Sequence, residues 1–302
     1  MLVNPADIRP VRRLRPGDTV RLVSPCSPPD PHRVETGVRM LRGWGLRTEV
    51  AWDGGERPPE IRAAEMQQAL ESPGVHAVLV TRAGKGAEEL LPLLDFSVLE
   101  RQPKPVCGFS DVTFLHHAIA AAVRRPSFHT PELAWSVRLN GEHSAASLRE
   151  TLLGEASGLQ AGQGVVRSRG PAVTGRLRGG NLSALARIDA TAAAKGDILF
   201  LEELRETPQT VGELLNRITA RGHLAGVSAV VFGQFVECGD AEQLRAVLDD
   251  WCERSVQTVL AGIPAGHGVE QETMAMGWPV SVEPATGTLS YVSSPTDAGL
   301  TW

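Results

Sequence analysis

The amino-acid sequence predicts an α/β protein built on parallel sheets, and three observations carry that prediction. Short, almost unbroken apolar runs recur along the chain, at 19–24, 76–81, 105–109, 197–202, 229–235 and 258–263. Stretches with helical spacing of apolar residues lie between them. Gly, Ser and Pro accumulate near 154–175, where the helical periodicity is lost. Unbroken apolar strands mark a sheet covered on both faces, and parallel strands need helical crossovers to join them. The Gly-rich stretch reads as a linker between two lobes.

The elements follow in order. "TVRLVS" (19–24) is the first strand, and Val34, Val38, Leu41 and Trp44 repeat behind it at helical spacing. "HAVLVT" (76–81) and "PVCGF" (105–109) are the next two, the latter followed by a helix marked by Val112, Leu115, Ile119 and Val123. This gives an N-terminal α/β domain over 1–153, a linker over 154–174 and a C-terminal α/β domain over 175–302. In the second domain, "DILFLE", "AVVFGQF" and "TVLAGI" are strands. "DAEQLRAVLDDW" starts a helix with Asp240 and Gln243 spaced as in a capping box. The last thirty residues, rich in Pro, Thr, Ser and Gly, read as short strands and turns.

Composition removes several functional classes. The chain has 302 residues, 42% of them hydrophobic, and a net charge of −5. Its Lys and Arg residues form no patch interleaved with aromatics, which argues against a nucleic-acid partner. The basic start "RPVRRLRPGD" has no apolar stretch behind it, so it does not read as a secretory signal. No run approaches the ~20 apolar residues that span a bilayer, so no membrane partner is expected. Cys26, Cys107, Cys238 and Cys252 form no C-x-x-C, which fits reduced thiols and a cytoplasmic location. No metal is expected, because no histidine pair with a carboxylate has ligand spacing on one helix. No cofactor is expected either: G-x-x-x-x-G-K-[ST] and G-x-G-x-x-G are both absent.

In open parallel sheets ligands bind at the carboxyl ends of the strands, so the residues leaving each strand are the candidates. The strand at 105–109 exits at Ser110-Asp111. A tight strand–turn–helix there exposes a nucleophile and aims the next backbone N–H at a developing oxyanion, although the motif is G-x-S-x-V. The competing reading makes Ser110 and Asp111 cap residues only. Glu202 follows four apolar residues, so its carboxylate emerges where the strand leaves the core and needs a partner there. Glu203 falls on the opposite face and reads as an ordinary charged side chain. His267, between glycines in "PAGHG", is the favoured base. His116 and His117 lie roughly 9–10 Å further along a helix, beyond direct reach of Ser110. The loop Arg82-Ala83-Gly84-Lys85-Gly86 either offers amides to an oxyanion, with Arg82 or Lys85 holding a substrate carboxylate, or cradles a phosphate. Gly179-Gly180-Asn181 reads as a strand-to-helix turn lining a cleft. Cys107 reads as a small buried hydrophobe.

The motifs "RAGKGAEELLPLLD", "GFSDVTFLHHA", "GRLRGGNLSAL", "ILFLEE" and "IPAGHG", in this order, resemble the LD-carboxypeptidase family of serine peptidases, which also includes microcin-C immunity peptidases. The similarity runs from "LRPGDTVRLVSPCSP" to the C-terminal strands. It implies two α/β lobes with the active site at their interface, and a homodimer. It also implies a triad of Ser110 as nucleophile, Glu202 as orienting carboxylate and His267 as base. The amide of Asp111 and one from Gly84–Gly86 would then form the oxyanion hole, with Arg82, Lys85 and Asn181 toward substrate. The implied substrate is a small peptide or muropeptide ending in a D-amino acid, such as the tetrapeptide stem of recycled murein. The sequence departs from the family at Ala83 and Lys85, where relatives have Gly and Tyr, and at Thr130 and Glu132 in "HTPEL". Those changes bear on the pocket more than on the triad. A self-immunity peptidase acting on peptidyl- or aminoacyl-nucleotide carboxamides is the alternative, with Trp135 and Trp251 as base-stacking candidates. A non-enzymatic muropeptide sensor ranks last, because every triad member is present.

Overall fold

The computed structural model describes residues 7–52, 54–131, 141–154, 158–189 and 195–300. The strands in chain order are β1 (Val11–Arg12), β2 (Thr19–Val23), β3 (Arg47–Val50), β4 (Ala77–Val80), β5 (Val106–Gly108), β6 (Ser127–His129) and β7 (Gly158–Gln160). They continue as β8 (Val173–Asn181), β9 (Ile198–Leu204), β10 (Ala229–Val236), β11 (Thr258–Ala261), β12 (Met274–Met276), β13 (Pro279–Glu283), β14 (Thr288–Tyr291) and β15 (Thr296–Asp297). The helices are α1 (Pro31–Gly43), α2 (Pro59–Glu71), α3 (Val98–Arg101), α4 (Thr113–Ala122), α5 (Gly141–Leu153), α6 (Leu182–Leu185), α7 (Pro208–Ala220) and α8 (Ala241–Ser255). They build two compact units. Described residues within 9–154, 269–275 and 294–300 form the first; those within 7–8, 158–268 and 276–293 form the second.

The first unit holds a sheet of order β12-β6-β5-β4-β2-β3, with β2 through β6 parallel. The apolar runs become these strands because both sheet faces are covered: every residue of β4 and of β5 is buried. The edge strand β3, "RTEV", was not anticipated, and its mostly exposed, charged side chains suit an unpaired edge. Helix α1 starts on Pro31, with the Asp30 carboxylate accepting from the His32 N–H. Helix α2 ends on a buried ammonium: Lys104 Nζ donates to the carbonyls of Ala69 (3.2 Å) and Ser72 (2.7 Å). Those carbonyls have no partner within the helix, which explains a lysine inside the fold. Burial brings its pKa down to about 8.

From β2 the chain steps to β3 on one side and to β4 on the other. The strand order therefore reverses at β2, and such switch points leave a crevice at the carboxyl ends. A cavity of about 560 Å³ opens there, lined by Ser27, Trp52, Arg57, Arg62 and Lys85 among others.

The second unit holds a sheet of order β11-β10-β9-β8-β13-β14-β7. Strands β8 to β11 are parallel, while β13, β14 and β7 form an antiparallel wing. Leu199 and Leu201 of β9, Phe232 of β10, Leu215 and Ile218 of α7, and Leu248 of α8 fill its core. Helix α7 is set by Pro208 in its first turn and by Thr207, whose hydroxyl accepts from the Thr210 N–H. Within the stretch read as a linker, Gly158–Gln160 pairs with β14, and Arg169 pairs with Val259. Strand β8 runs on through Gly179-Gly180 to Asn181, and its Arg176 and Arg178 are buried against Asp197 at 3.1 and 2.5 Å. Among the described residues, no helix is long and apolar enough to cross a membrane.

Candidate active site

Strand β9 carries Glu202-Glu203 near its carboxyl end, where both side chains are still buried in the second unit. Pleating sends the two carboxylates to opposite faces. Glu202 is fully buried, and its Oε2 accepts a 2.6 Å hydrogen bond from His267 Nδ1. A carboxylate on Nδ1 fixes the tautomer of a neutral imidazole, leaving Nε2 as the basic nitrogen. His267 is itself only 11% exposed.

Glu203 corrects an expectation. It is not a solvated charge: it is 2% exposed and accepts from Asn181 Nδ2 (2.9 Å), the Ser183 N–H (2.8 Å) and hydroxyl (2.6 Å), and the Leu204 N–H (2.8 Å). Burial raises its pKa, against the pull of these bonds. The other end of the Asn181 amide caps α6, Oδ1 accepting from the Ala184 N–H at 3.1 Å. Asn181 is thus engaged inside the second unit at both ends of its side chain.

The loop around His267 is pinned by a residue that sequence reasoning passed over. The N–H of Gln234 donates to the Ala265 carbonyl (2.9 Å), and its Oε1 accepts from the Gly268 N–H (2.7 Å). The available signal was the Gly233-Gln234 pair inside an apolar run, which marks a bulge.

In the first unit, Ser110 lies one residue past β5, after Phe109, and opens a single 3₁₀ turn, Ser110–Val112, that leads into α4. Its φ is +58°, the left-handed region that non-glycine residues avoid at a cost of order 1–3 kcal/mol. The turn is tight because residue 108 is glycine: a Cβ there would come within 2.9 Å of Val112 and 3.1 Å of Val80. The Gly108 carbonyl is held by His116 Nε2 at 2.9 Å, while His116 Nδ1 meets the Ser127 hydroxyl at 2.8 Å. A carbonyl only accepts, so Nε2 carries the proton and Nδ1 accepts from Ser127. Burial pushes the His116 pKa down to about 4. This histidine supports the turn.

The Asp111 carboxylate reaches beyond its own turn. Its Oδ2 accepts from the Ala87 N–H at 2.7 Å, tying the serine turn to the loop after β4. In that loop Gly84 and Gly86 both have φ +111°, and a Cβ on Gly84 would lie 2.4 Å from Ser27 Oγ. The Lys85 N–H donates to Ser27 Oγ at 3.1 Å, and its side chain is exposed beside the cavity. Arg82, also exposed, donates from Nη1 to the Pro28 carbonyl at 2.7 Å.

The structure thus brings Glu202 together with His267 in the second unit, and gathers Ser110, Asp111, Gly84, Gly86, Arg82 and Lys85 around two strand exits of the first. Trp251 is 2% exposed, packs edge-on to Phe232 and donates from Nε1 to Thr219 (3.1 Å), so it belongs to the core. Trp135 and Glu132 lie outside the described residues. Cys107 is buried, which raises its thiol pKa, as befits a small hydrophobe. Among the described residues, no group of three or more His, Cys, Asp or Glu could hold a metal ion.

Comparison with known proteins gives the arrangement a family. Residues 20–130 match the LD-carboxypeptidase N-terminal domain and residues 174–282 the C-terminal domain. The Streptomyces coelicolor protein SCO6489 is 32% identical over 94% of this chain and 96% of its own. The murein tetrapeptide carboxypeptidase of Pseudomonas aeruginosa is 28% identical over 85% and 91%. Among solved structures, MccF in complex with glutamyl sulfamoyl guanosine superposes with a TM-score of 0.83 at 21% identity, covering 95% of this chain and 99% of that one. The muramoyltetrapeptide carboxypeptidase of Oxalobacter formigenes gives 0.78 at 24% identity, over 90% and 97%. With both domains matched in order along most of its length, the chain belongs to the LD-carboxypeptidase family.

Proposed function

We propose that this protein is a serine carboxypeptidase that cleaves the amide bond before a C-terminal D-amino acid, with the tetrapeptide stem of murein as its substrate. The observation that carries the reading is the buried 2.6 Å bond between Glu202 and His267, a carboxylate on Nδ1 that favours one tautomer and leaves Nε2 as the basic nitrogen. His267 removes the Ser110 proton as the hydroxyl attacks the scissile carbonyl, and Glu202 stabilises the imidazolium that forms. The amides of Asp111 and of Gly84 or Gly86 receive the oxyanion. His267 then protonates the departing amine, and water hydrolyses the acyl-enzyme. Arg82 and Lys85 meet the terminal carboxylate, and Asn181 contacts substrate by exchanging one of its internal bonds. The names of the relatives, together with reduced thiols, support a cytoplasmic role in murein recycling. The family resemblance supports a homodimer.

The decisive assay follows release of D-alanine from a murein tetrapeptide. Ser110→Ala should lower kcat by ~10³-fold or more, with the fold intact. Undiminished turnover overturns the reading. A second substrate class is favoured by the Escherichia coli microcin C7 self-immunity protein MccF, 24% identical over 88% of this chain. Faster hydrolysis of an aminoacyl sulfamoyl adenylate than of the tetrapeptide would assign this chain to that class, on the same triad.

A further inference from the structure

Strand β10 is an apolar strand with one polar interruption, and the interruption sits opposite the buried glutamate. Pairing between β10 and β9 is regular from Ala229↔Ile198 to Phe232↔Leu201 and resumes at Phe235↔Glu203. Two residues, Gly233 and Gln234, therefore stand against one, Glu202. That is a β-bulge, a device that bends its strand and re-aims a side chain.

We propose that Gln234 is a positioning residue for His267, fixing the imidazole against Glu202 by holding the backbone on both sides of it. The Gln234 N–H donates to the carbonyl of Ala265, two residues before the histidine, at 2.9 Å. Its side-chain Oε1 accepts from the N–H of Gly268, the residue after the histidine, at 2.7 Å. One side chain and its own backbone thus close a clamp on a four-residue span, with the ring as the part left to point at Glu202.

The glycines of this region serve that closure. A Cβ on Gly233 would lie 2.3 Å from the Ala265 carbonyl oxygen, and one on Gly268 would lie 2.4 Å from Gln234 Nε2. On Gly266, at φ +135°, it would meet Glu202 Oε2 at 3.0 Å and Gln234 Cβ at 3.2 Å. Each of the three positions is glycine because the loop lies directly on Gln234, Glu202 or the bulge. "PAGHG" is a tightly packed loop, although its composition suggests a mobile one.

A short carboxylate–imidazole bond fixes ring position closely, and a misplacement of about 1 Å at a reacting group can cost ~10²-fold in rate. The clamp therefore acts on turnover through His267, without touching substrate. The catalytic part of this inference rests on the reading of His267 as base; the structural part does not.

The test uses Gln234→Leu, Gln234→Asn and Gln234→Glu in the full chain. Three quantities are read: kcat and KM for tetrapeptide hydrolysis, the thermal midpoint, and the low-field proton resonance of His267 Nδ1–H without substrate. Leu removes the acceptor at similar volume, and Asn withdraws it by one methylene. Both should lower kcat by ~10- to 100-fold with KM within about twofold, and shift or broaden the resonance. Glu keeps an oxygen that accepts from the Gly268 N–H, and should hold kcat within about fivefold and preserve the resonance. If Leu does not fold, Asn gives the same reading. Wild-type kcat and an unmoved resonance in the folded Leu or Asn variants would overturn the proposal. Should Ser110→Ala retain full turnover instead, the catalytic scheme falls, while the resonance still decides whether Gln234 positions the ring.

Discussion

At the end of β5 the chain places Ser110 by means of its backbone, whereas at the end of β9 it places Glu202 by means of side-chain bonding. The serine has a left-handed φ of +58°, a glycine two residues before it, and a buried histidine on the carbonyl of that glycine. The glutamate lies in ordinary extended strand, fully buried, with the imidazole of His267 on its Oε2. The two exits teach that a functional atom can be aimed either by straining the main chain or by restricting a side chain's partners. They also fail differently. A substitution at the first is felt through conformational strain, and at the second through an unpaired polar group.

The largest expected effect separates Glu202 from its neighbour. Glu202→Gln should keep the fold and lower kcat by ~10³- to 10⁴-fold, because a neutral amide stabilises the wrong tautomer and no imidazolium. Glu203→Gln should do the reverse. Its donors, Asn181, Ser183 and Leu204, would meet an amide with one oxygen, at a cost of about 1–3 kcal/mol in stability, while kcat changes less than tenfold. Chemical denaturation beside steady-state kinetics reads both. Equal losses of turnover at the two positions would erase the distinction between a catalytic and a structural carboxylate.

A smaller effect belongs to the support of the serine turn. His116 has a pKa of about 4 in the fold, below the unperturbed value of 6.5, because burial penalises its charged form. Between those values the unfolded chain binds the proton and the native chain does not, so this histidine makes stability fall as pH is lowered from 6.5 toward 4. The full contribution is about 3 kcal/mol. His116→Gln should flatten that part of the pH–stability curve, measured by denaturant titration at fixed pH steps. An unchanged slope would mean that the imidazole is not held neutral.

The smallest change in stability has the opposite sign. Ser110→Gly relieves the left-handed strain and should raise stability by about 1 kcal/mol while abolishing turnover. A destabilised glycine variant would show that the serine side chain contributes more to the fold than its backbone costs.

The apolar runs made the parallel strands legible, because burial on both faces leaves a run of Val, Leu and Ile that little else produces. Ser110 and Glu202 stood out for a related reason, each being polar at the point where such a run stops, and His267 for the glycines on both sides of it in the loop after another run. Strand β8 was less legible. It carries two arginines and three glycines, and its arginines are buried only because Asp197, about twenty residues later, meets both. Glu203 was misjudged on the same grounds, since three of its four donors come from the end of β8 and the helix that follows it, about twenty residues earlier in the chain. Gln234 was hidden inside an apolar run, where only the glycine before it hinted at a bulge. A pairing partner distant in sequence changes what a charged residue means, and local pattern does not carry that information.

Strand β1, near the beginning of the first unit, pairs in parallel with β15, and β12 joins the same unit's main sheet at one edge. During synthesis, then, the unit that bears the serine waits for the last part of the chain before it can be completed. Its early strands must persist unfinished while the whole second unit is made, and a ribosome stalled before residue 270 would leave a sheet edge uncovered.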